Sequence, residues 1–404
     1  MDLSYSSEAE AFRETVAKFL DENWPLPESD KEGRSVEEQH ALFRRRATEA
    51  GYLYRSIPKQ YGGSEQEPDV IAGQVIREEF GRKWAPMEVR GIGTMMLIPT
   101  LLERGEQWMK DKFVEKTLSG EITWCQGYSE PGSGSDLASL KTRGELVDGE
   151  WVINGQKIWT TNAIDADYMF ILVRTEPDAP KHAGISYLLL DMKQSGIEVR
   201  PLRQMTGTAE FNEVFLTDAK TPEDWIVGKR GEGWLVSRTT LKHERNSIGA
   251  TEQTDAQFNS LVKLAKESKI AGKPAIENAD IRERLAQLEG FILAHKYSGY
   301  RQLTADVKGE DPGIIRLMTK LGSTEIGQAV AKIAIDLLGD DGMLSTGEHR
   351  MGGMGEGSGG WINQYMFSLG IAIAGGTANI QRNVIAERGL GLPRDAAADR
   401  SKGK

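Results

Sequence analysis

Cysteine is nearly absent. Cys125 is the only one in 404 residues, which excludes an internal disulfide and a thiolate metal cluster. The five histidines are scattered without His-x-x-x-His spacing, so a zinc site of that type is not expected. There is no run of about 18 consecutive apolar residues, the minimum for a spanning helix. Together with a mean hydropathy of −0.44, this predicts a soluble chain. Positive charge is in deficit, 50 Lys plus Arg against 60 Asp plus Glu for a net charge of −10, and the longest basic block is Arg44-Arg45-Arg46. Nucleic acid and anionic membranes are therefore excluded as expected partners. Met1-Asp2-Leu3-Ser4-Tyr5 shows neither a basic nor an apolar leader region, so a cytoplasmic location is expected. With 14 prolines, 39% hydrophobic and 27% charged residues, the chain can build the core of two to three domains. Difficult chemistry must then come from carboxylates or a bound organic cofactor.

What is present falls into three stretches. Residues 1–120 carry a helical period: Ser7 with Glu10 reads as a capping box, and Phe12, Val16, Phe19 and Leu20 share one stripe. Residues 121–228 alternate in short apolar runs, with turn signals at Asp148-Gly149 and Asn154-Gly155 around Trp151-Val152-Ile153, and further strands at Tyr168 to Val173 and Ile185 to Leu190. No helical stretch separates these strands, which predicts an antiparallel β-domain of hairpins rather than βαβ units. Residues 229–393 return to the helical period, most cleanly in Asp280 to His295 and Ile314 to Leu338, and 394–404 form a small charged tail expected to fray. Ser345 to Gly360 reads as a glycine-rich loop, while Gly375-Gly376 interrupts an apolar stretch before Ile380 and Val384 restart a helix. The predicted fold class is α+β multidomain: helix bundle, antiparallel β-domain, helix bundle.

Gly355-Glu356-Gly357-Ser358-Gly359-Gly360 matches a dinucleotide fingerprint as a string, but no strand precedes it and no βαβ unit encloses it, so it reads as a loop. More informative are two strings in the β-stretch. Gly127-Tyr128-Ser129-Glu130-Pro131-Gly132-Ser133-Gly134-Ser135-Asp136 offers backbone N–H groups and hydroxyls in a small-residue loop, and Asn154-Gly155-Gln156-Lys157-Ile158-Trp159-Thr160-Thr161-Asn162 offers an aromatic face beside hydroxyls. The pair suits a planar heterocycle carrying phosphates. Taken singly, each has a plainer reading, as a Pro-Gly turn and as a core tryptophan ending a strand.

These strings, the helix–β–helix order, Gly375-Gly376-Thr377-Ala378-Asn379-Ile380-Gln381-Arg382-Asn383 with Glu387-Arg388 and Leu392-Pro393-Arg394, Pro58-x-x-Tyr61-Gly62-Gly63, and Gly105-Glu106-Gln107 together resemble the acyl-CoA dehydrogenase family. The resemblance spans nearly the whole chain. It implies FAD, with Gln126, Tyr128, Ser129 and Trp159 to Thr161 at ring-contact positions. Gly134 and Ser135 would lie in the loop shared by the flavin pyrophosphate and the coenzyme A phosphates, and Thr377 and Asn379 would be C-terminal flavin contacts. The implied reaction is α,β-dehydrogenation of an acyl-CoA thioester, with electrons passed to an electron-transfer flavoprotein.

Most members of that family place a glutamate immediately before the Gly-Thr of the C-terminal string, where this chain has Gly375. A subset carries the base within Leu-x-x-Glu-Arg on the first long helix after the β-domain, matched here by Leu241-Lys242-His243-Glu244-Arg245. Ser237, Leu241, Glu244 and Ile248 share one helical face, which supports Glu244 as the base independently of the resemblance. Arg245 matches an arginine near the thioester, and Gly375 would leave room for a branched or polycyclic acyl group, making Ser135, Arg245 and Gly375 the substrate-side residues. Members of the family complete each flavin site from a neighbouring subunit with Arg-x-x-Phe-Gly and Gln before Gly-Gly-x-Gly strings. This chain instead reads Ser268-Lys269-Ile270-Ala271-Gly272 and Asp336-Leu337-Leu338-Gly339-Asp340-Asp341-Gly342. That departure resembles catalytic subunits of heterotetrameric members acting on steroid side chains, and implies a paralogous partner subunit. An oxygen-using oxidase relative and a non-catalytic structural subunit are the alternative readings.

Overall fold

The computed structural model describes residues 5–247, 251–344 and 357–393, and the side chains at 243–247, 251–253 and 357–358 lie outside the described set. The chain divides into two compact units, Met1–Trp124 and Cys125–Lys404.

The first unit holds helices α1 (Ser7–Asn23), α2 (Glu28–Lys31), α3 (Val36–Glu49), α4 (Val70–Arg82), α5 (Ile98–Arg104) and α6 (Gln107–Ser119). The predicted stripe on α1 is observed: Val16 and Leu20 are buried with Phe43, Leu53, Val75, Ile76 and Phe80, and Phe12 and Phe19 pack against them. The α1 cap is corrected by one residue, because Ser6 accepts the hydrogen bond from Ala9 N. A reciprocal capping box stands instead at Ser35 and Glu38, where α3 begins. Two of the family-like strings meet inside this unit, since Gln107 Nε2 donates to Tyr61 Oη at 2.7 Å. Gly63 is required there, as a Cβ would lie 2.1 Å from Ile57 O.

The second unit opens with the sheet: β1 (Trp124–Gly127), β2 (Arg143–Val147), β3 (Glu150–Thr161), β4 (Tyr168–Arg174), β5 (Ile185–Asp191), β6 (Ile197–Leu202) and β7 (Phe211–Pro222). Its order is β1-β4-β2-β3-β7-β6, with β5 also on β4. Strands β2–β3, β3–β7, β4–β5 and β6–β7 pair antiparallel, while β2 meets β4 through a parallel bridge between Arg143 and Arg174. Asp148-Gly149 is the predicted hairpin turn, both residues at positive φ (52° and 79°), the geometry a two-residue turn requires. Asn154-Gly155 is not a turn; it runs through the middle of β3, where the register slips against β7 between Ile153 and Gly155. Local sequence favoured a turn, but Asn154 Nδ2 bonds Asp218 Oδ1 and Asp218 N bonds Asn154 Oδ1, which fastens the irregularity into the sheet. One face of the sheet buries Trp151, Ile153, Met169, Ile171, Val173, Leu188, Leu190, Val214 and Leu216 together with Cys125. Burial pushes the Cys125 thiol far above its ordinary value, so it packs as a small apolar residue.

After the sheet come α7 (Gly233–Ser247), α8 (Thr251–Glu267), the hairpin of β8 (Lys269–Ile270) and β9 (Lys273–Pro274), α9 (Ala279–Lys308), α10 (Ile314–Leu338), α11 (Gly357–Ile371) and α12 (Ala378–Val384). Their core joins Leu261, Ile281, Leu285, Leu288, Ile292, Ile326, Val330, Ile333 and Trp361. The predicted loop at 345–360 is corrected at its end, where Gly357 begins α11. Residues 345–356 and the tail 394–404 lie outside the described residues. Among the described residues, no helix is long and apolar enough to cross a membrane, and no cluster of metal-ligating side chains is found.

Candidate functional site

The two strings of the β-domain are brought together by one backbone hydrogen bond and one buried ion pair. Ile158 N donates to Ser129 O at 2.9 Å. Lys157 Nζ donates to Glu130 Oε1 at 2.9 Å and to Tyr128 O at 3.2 Å, and the Lys157 side chain is 0% exposed. Glu130 also accepts from Lys141 N at 2.7 Å and Thr142 N at 2.8 Å, so both its oxygens are occupied. Burial by itself would raise the Glu130 carboxyl, but the Lys157 charge and the hydrogen bonds at Thr142 and Lys141 outweigh it and hold it below its ordinary value. Burial lowers Lys157 to about 8 against the pull of Glu130, which leaves the pair ionic at neutral pH.

Period-two alternation along β3 places Trp151, Ile153 and Lys157 inward, and would bury Trp159 as well. It is not buried, because the register slips between Lys157 and Thr160: Ile158 and Trp159 together face Glu213 alone on β7. This bulge hands the inward place to Thr160, which is 0% exposed, and turns Trp159 out to 59% exposure with φ +60°. A bulky residue at positive φ is a strained arrangement of the kind that gathers at binding sites. Its outer indole is braced edge-on by Phe211, ring centroids 6.0 Å apart. The reading of Trp159 as a core residue is thereby overturned. Tyr128 differs, since its ring is buried edge-on between Phe170 and Tyr187. Ser129 and Thr161 are half-buried, Gly134 and Ser135 are exposed, and Gln126 is half-buried on β1. A cleft of about 310 Å³ opens beside this loop, lined by Pro131, Gly132, Ser133, Ser139 and Gln156 among others. A Cβ on Gly132 or Gly134 would meet nothing within 4 Å, so the loop's backbone is open to a ligand.

Thr377 and Asn379 belong to a separate cluster on the C-terminal helices, and among the described residues no hydrogen bond joins either to the β-domain strings. Gly375 and Gly376 both sit in the left-handed region, φ +60° and +89°. Thr377 follows as N-cap of α12, accepting from Ile380 N at 3.2 Å. Asn379 lies exposed on the first turn of the helix.

Helix α7 carries the candidate base. It starts directly on β5: a Cβ on Gly233 would lie 2.4 Å from Ser186 C. Ser237 and Thr240 are fully buried, and Thr240 Oγ1 bonds Tyr187 Oη at 3.4 Å. Glu244 follows Thr240 by one helical turn, on the same face as Ser237. The side chains of Glu244 and Arg245, and all of Ile248, lie outside the described residues.

Family models match almost end to end: "Acyl-CoA dehydrogenase, N-terminal domain" over residues 6–121, the middle domain over 125–219 and the C-terminal domain over 231–390. The chain belongs to the acyl-CoA dehydrogenase family. It is an acyl-CoA dehydrogenase, an oxidoreductase. It is 37% identical over 401 residues to acyl-CoA dehydrogenase IpdE1 of Mycobacterium tuberculosis, covering 96% of this chain and 99% of that one. Among solved structures, the "Tcur3481-Tcur3483 steroid ACAD" is 28% identical with a TM-score of 0.76, covering 98% of this chain and all (100%) of that one. The ChsE4-ChsE5 complex from Mycobacterium tuberculosis is 26% identical with a TM-score of 0.75 at the same coverage, 98% and 100%.

The family is typically FAD-dependent, and the dehydrogenase's residues fit that group. An outward indole on a fixed bulge, half-buried hydroxyls at Ser129 and Thr161, and a side-chain-free loop at Gly132 and Gly134 suit a flat ring bearing a pyrophosphate. The Glu130–Lys157 pair lies within the two strings, and nothing local in either string pairs them. Its one sequence signal is a lysine at an inward position of an alternating strand.

Proposed function

We propose that this dehydrogenase converts a bulky, steroid-derived acyl-CoA to its trans-2-enoyl-CoA, with Glu244 as the base that takes the α-proton. The observation that carries the reading is Gly375. At the place where most of the family carries its base, this chain holds a glycine at φ +60°, a conformation that disfavours any residue with a Cβ. The base must then stand elsewhere, and Glu244 lies on α7, the helix that starts against β5, one turn after the buried Thr240.

The Cα–H bond breaks toward the Glu244 carboxylate, and the β-hydrogen leaves with its electron pair as the double bond forms. FAD, when bound, supplies the acceptor for that hydrogen and pair. An α-proton next to a thioester is too weakly acidic for an ordinary carboxylate, so the site must exclude water and polarise the carbonyl. Arg245, Ser135 and Gly375 are assigned to the substrate, with Gln126, Tyr128, Ser129, Gly134, Ser135, Trp159, Thr161, Thr377 and Asn379 assigned to FAD. An electron-transfer flavoprotein is the proposed oxidant of the reduced enzyme. The steroid class is supported by likeness to the structure described as a steroid ACAD and by the missing side chain at 375.

A mixed assembly with a paralogous subunit is part of the proposal. Ser268 and the Ala271-Gly272 turn between β8 and β9 stand where a neighbour's flavin would expect arginine and phenylalanine. Asp336 is committed to Arg284 at 2.6 Å. Turnover of acyl-CoA thioesters, from short linear to steroid side-chain, tests the substrate. Glu244→Gln should lose at least roughly 10²- to 10⁴-fold in kcat with flavin retained. A near-wild-type rate would remove Glu244 from the mechanism.

A further inference from the structure

Lys320 is a buried cation that the proposed reaction does not use. It projects from α10 with 6% of its surface exposed, and among the described residues it makes no ion pair. Its ammonium donates instead to two main-chain oxygens, Ile371 O at 2.9 Å and Gly376 O at 3.0 Å. Burial lowers its pKa, as expected of a cation without an anionic partner.

Both acceptors are significant. Ile371 is the last residue of α11, so its carbonyl has no intrahelical donor and lies at the negative end of the helix dipole. Gly376 ends the left-handed pair Gly375-Gly376, the most freely moving dipeptide the chain could place before Thr377. Other side chains tie down the flanks: Gln381 Nε2 reaches Gly375 O at 3.4 Å, and Arg382 bonds Glu325 of α10 at 2.8 Å. Lys320 spans the turn itself, joining its entrance to its exit. An ammonium has three donors and no acceptor, so it can hold both carbonyls from one point where a hydroxyl could hold one.

We infer that Lys320 is a positioning residue that fixes the turn between α11 and α12 and thereby the placement of Thr377 and Asn379 toward the flavin. The inference rests on the reading of Thr377 and Asn379 as flavin contacts. Lysine supplies the restraint that two glycines remove, while leaving the space beside Gly375 free of a side chain.

The test uses the assembly in which the wild-type chain carries FAD, with Lys320→Met, which keeps the unbranched stem and removes the donors. FAD dissociation constants, measured by flavin fluorescence after deflavination, should rise at least tenfold, about 1.4 kcal/mol. The flavin-free melting temperature should change by no more than a few degrees, because the removal of a buried charge offsets the two carbonyls left without that donor. Hydrogen exchange should quicken at Ala378, whose N–H bonds Ala372 O at 2.9 Å, while α10 is unchanged. Lys320→Gln, which retains two donors, should recover part of the affinity. FAD affinity within twofold of wild type in a folded Lys320→Met variant overturns the inference. Should that variant fail to fold, wild-type exchange decides: an Ala378 amide as unprotected as an open loop in the flavin-free protein overturns it, and protection comparable with α10 supports it. A wild-type assembly that binds no FAD would instead overturn the underlying functional reading.

Discussion

Replacing Lys157 by methionine isolates the buried link between the two β-domain strings. Methionine preserves the unbranched stem in the core and removes the ammonium from Glu130, whose side chain is 8% exposed. Breaking one partner of a buried pair costs about 3–5 kcal/mol. The lower end of that range is expected here, because Glu130 keeps the N–H groups of Lys141 and Thr142. Native-state hydrogen exchange at the β3 amides reads the loss, and about 3 kcal/mol corresponds to a more than hundredfold rise in opening. The double variant Glu130→Gln, Lys157→Met should lose less than the sum of the two single losses, since each single change strands the other group. The pH dependence has a definite sign. In the wild type the Glu130 carboxyl lies below its ordinary 4.5, so its stabilisation is complete above that value and is lost as pH falls through the depressed one. In the variant the Lys157 charge no longer lowers the same carboxyl, which therefore lies higher than in the wild type, and acidification costs the variant less stability. The gap between the two proteins should therefore narrow from neutral pH toward pH 4. A loss below about 1 kcal/mol, or a gap that widens in acid, would refute the claim that this ion pair stitches the site together.

Gly375→Glu should leave turnover of linear acyl-CoA thioesters no higher than wild type, because the left-handed backbone adds roughly 1–2 kcal/mol of strain to any residue with a Cβ; increased turnover would show that both base positions are competent. Gly233→Ala should lower the melting temperature and kcat together, since its methyl would press on Ser186 and Tyr187 at 2.4 and 2.6 Å and push the helix of Glu244 off β5, an overpacking of about 1–3 kcal/mol. If the proposed mixed assembly holds, with Ser268, Ala271, Asp336 and Asp340 at the places of residues a neighbour would lend, the chain purified alone should carry far less than one flavin per protomer, each lost charge-assisted hydrogen bond being worth about 1.5–3 kcal/mol. Absorbance of flavin against protein, with mass in solution, checks this, and a stable homotetramer holding one flavin per chain would refute the mixed assembly.

Sequence by itself determined the order of helices, sheet and helices, because each stretch announces its period within a few residues. It also determined the Asp148-Gly149 turn, where local backbone preference and strand spacing agree. It supplied the family through strings whose residues stand close in the chain, and it exposed the glycine at 375 where a carboxylate is usual. The tertiary structure decided what depends on partners distant in sequence. Asn154-Gly155 carries a turn signal, yet Asp218 across the sheet holds it within a strand. Trp159 fits the inward parity of β3, yet the bulge against Glu213 turns it outward. Glu130 and Lys157 are 27 residues apart, and Lys320 lies 51 and 56 residues from the carbonyls it holds. A lysine on an amphipathic pattern reads as a solvated charge until the fold buries it. Whether a charge is solvated, paired or bound to the main chain depends on what packs over it, and only long-range packing sets that.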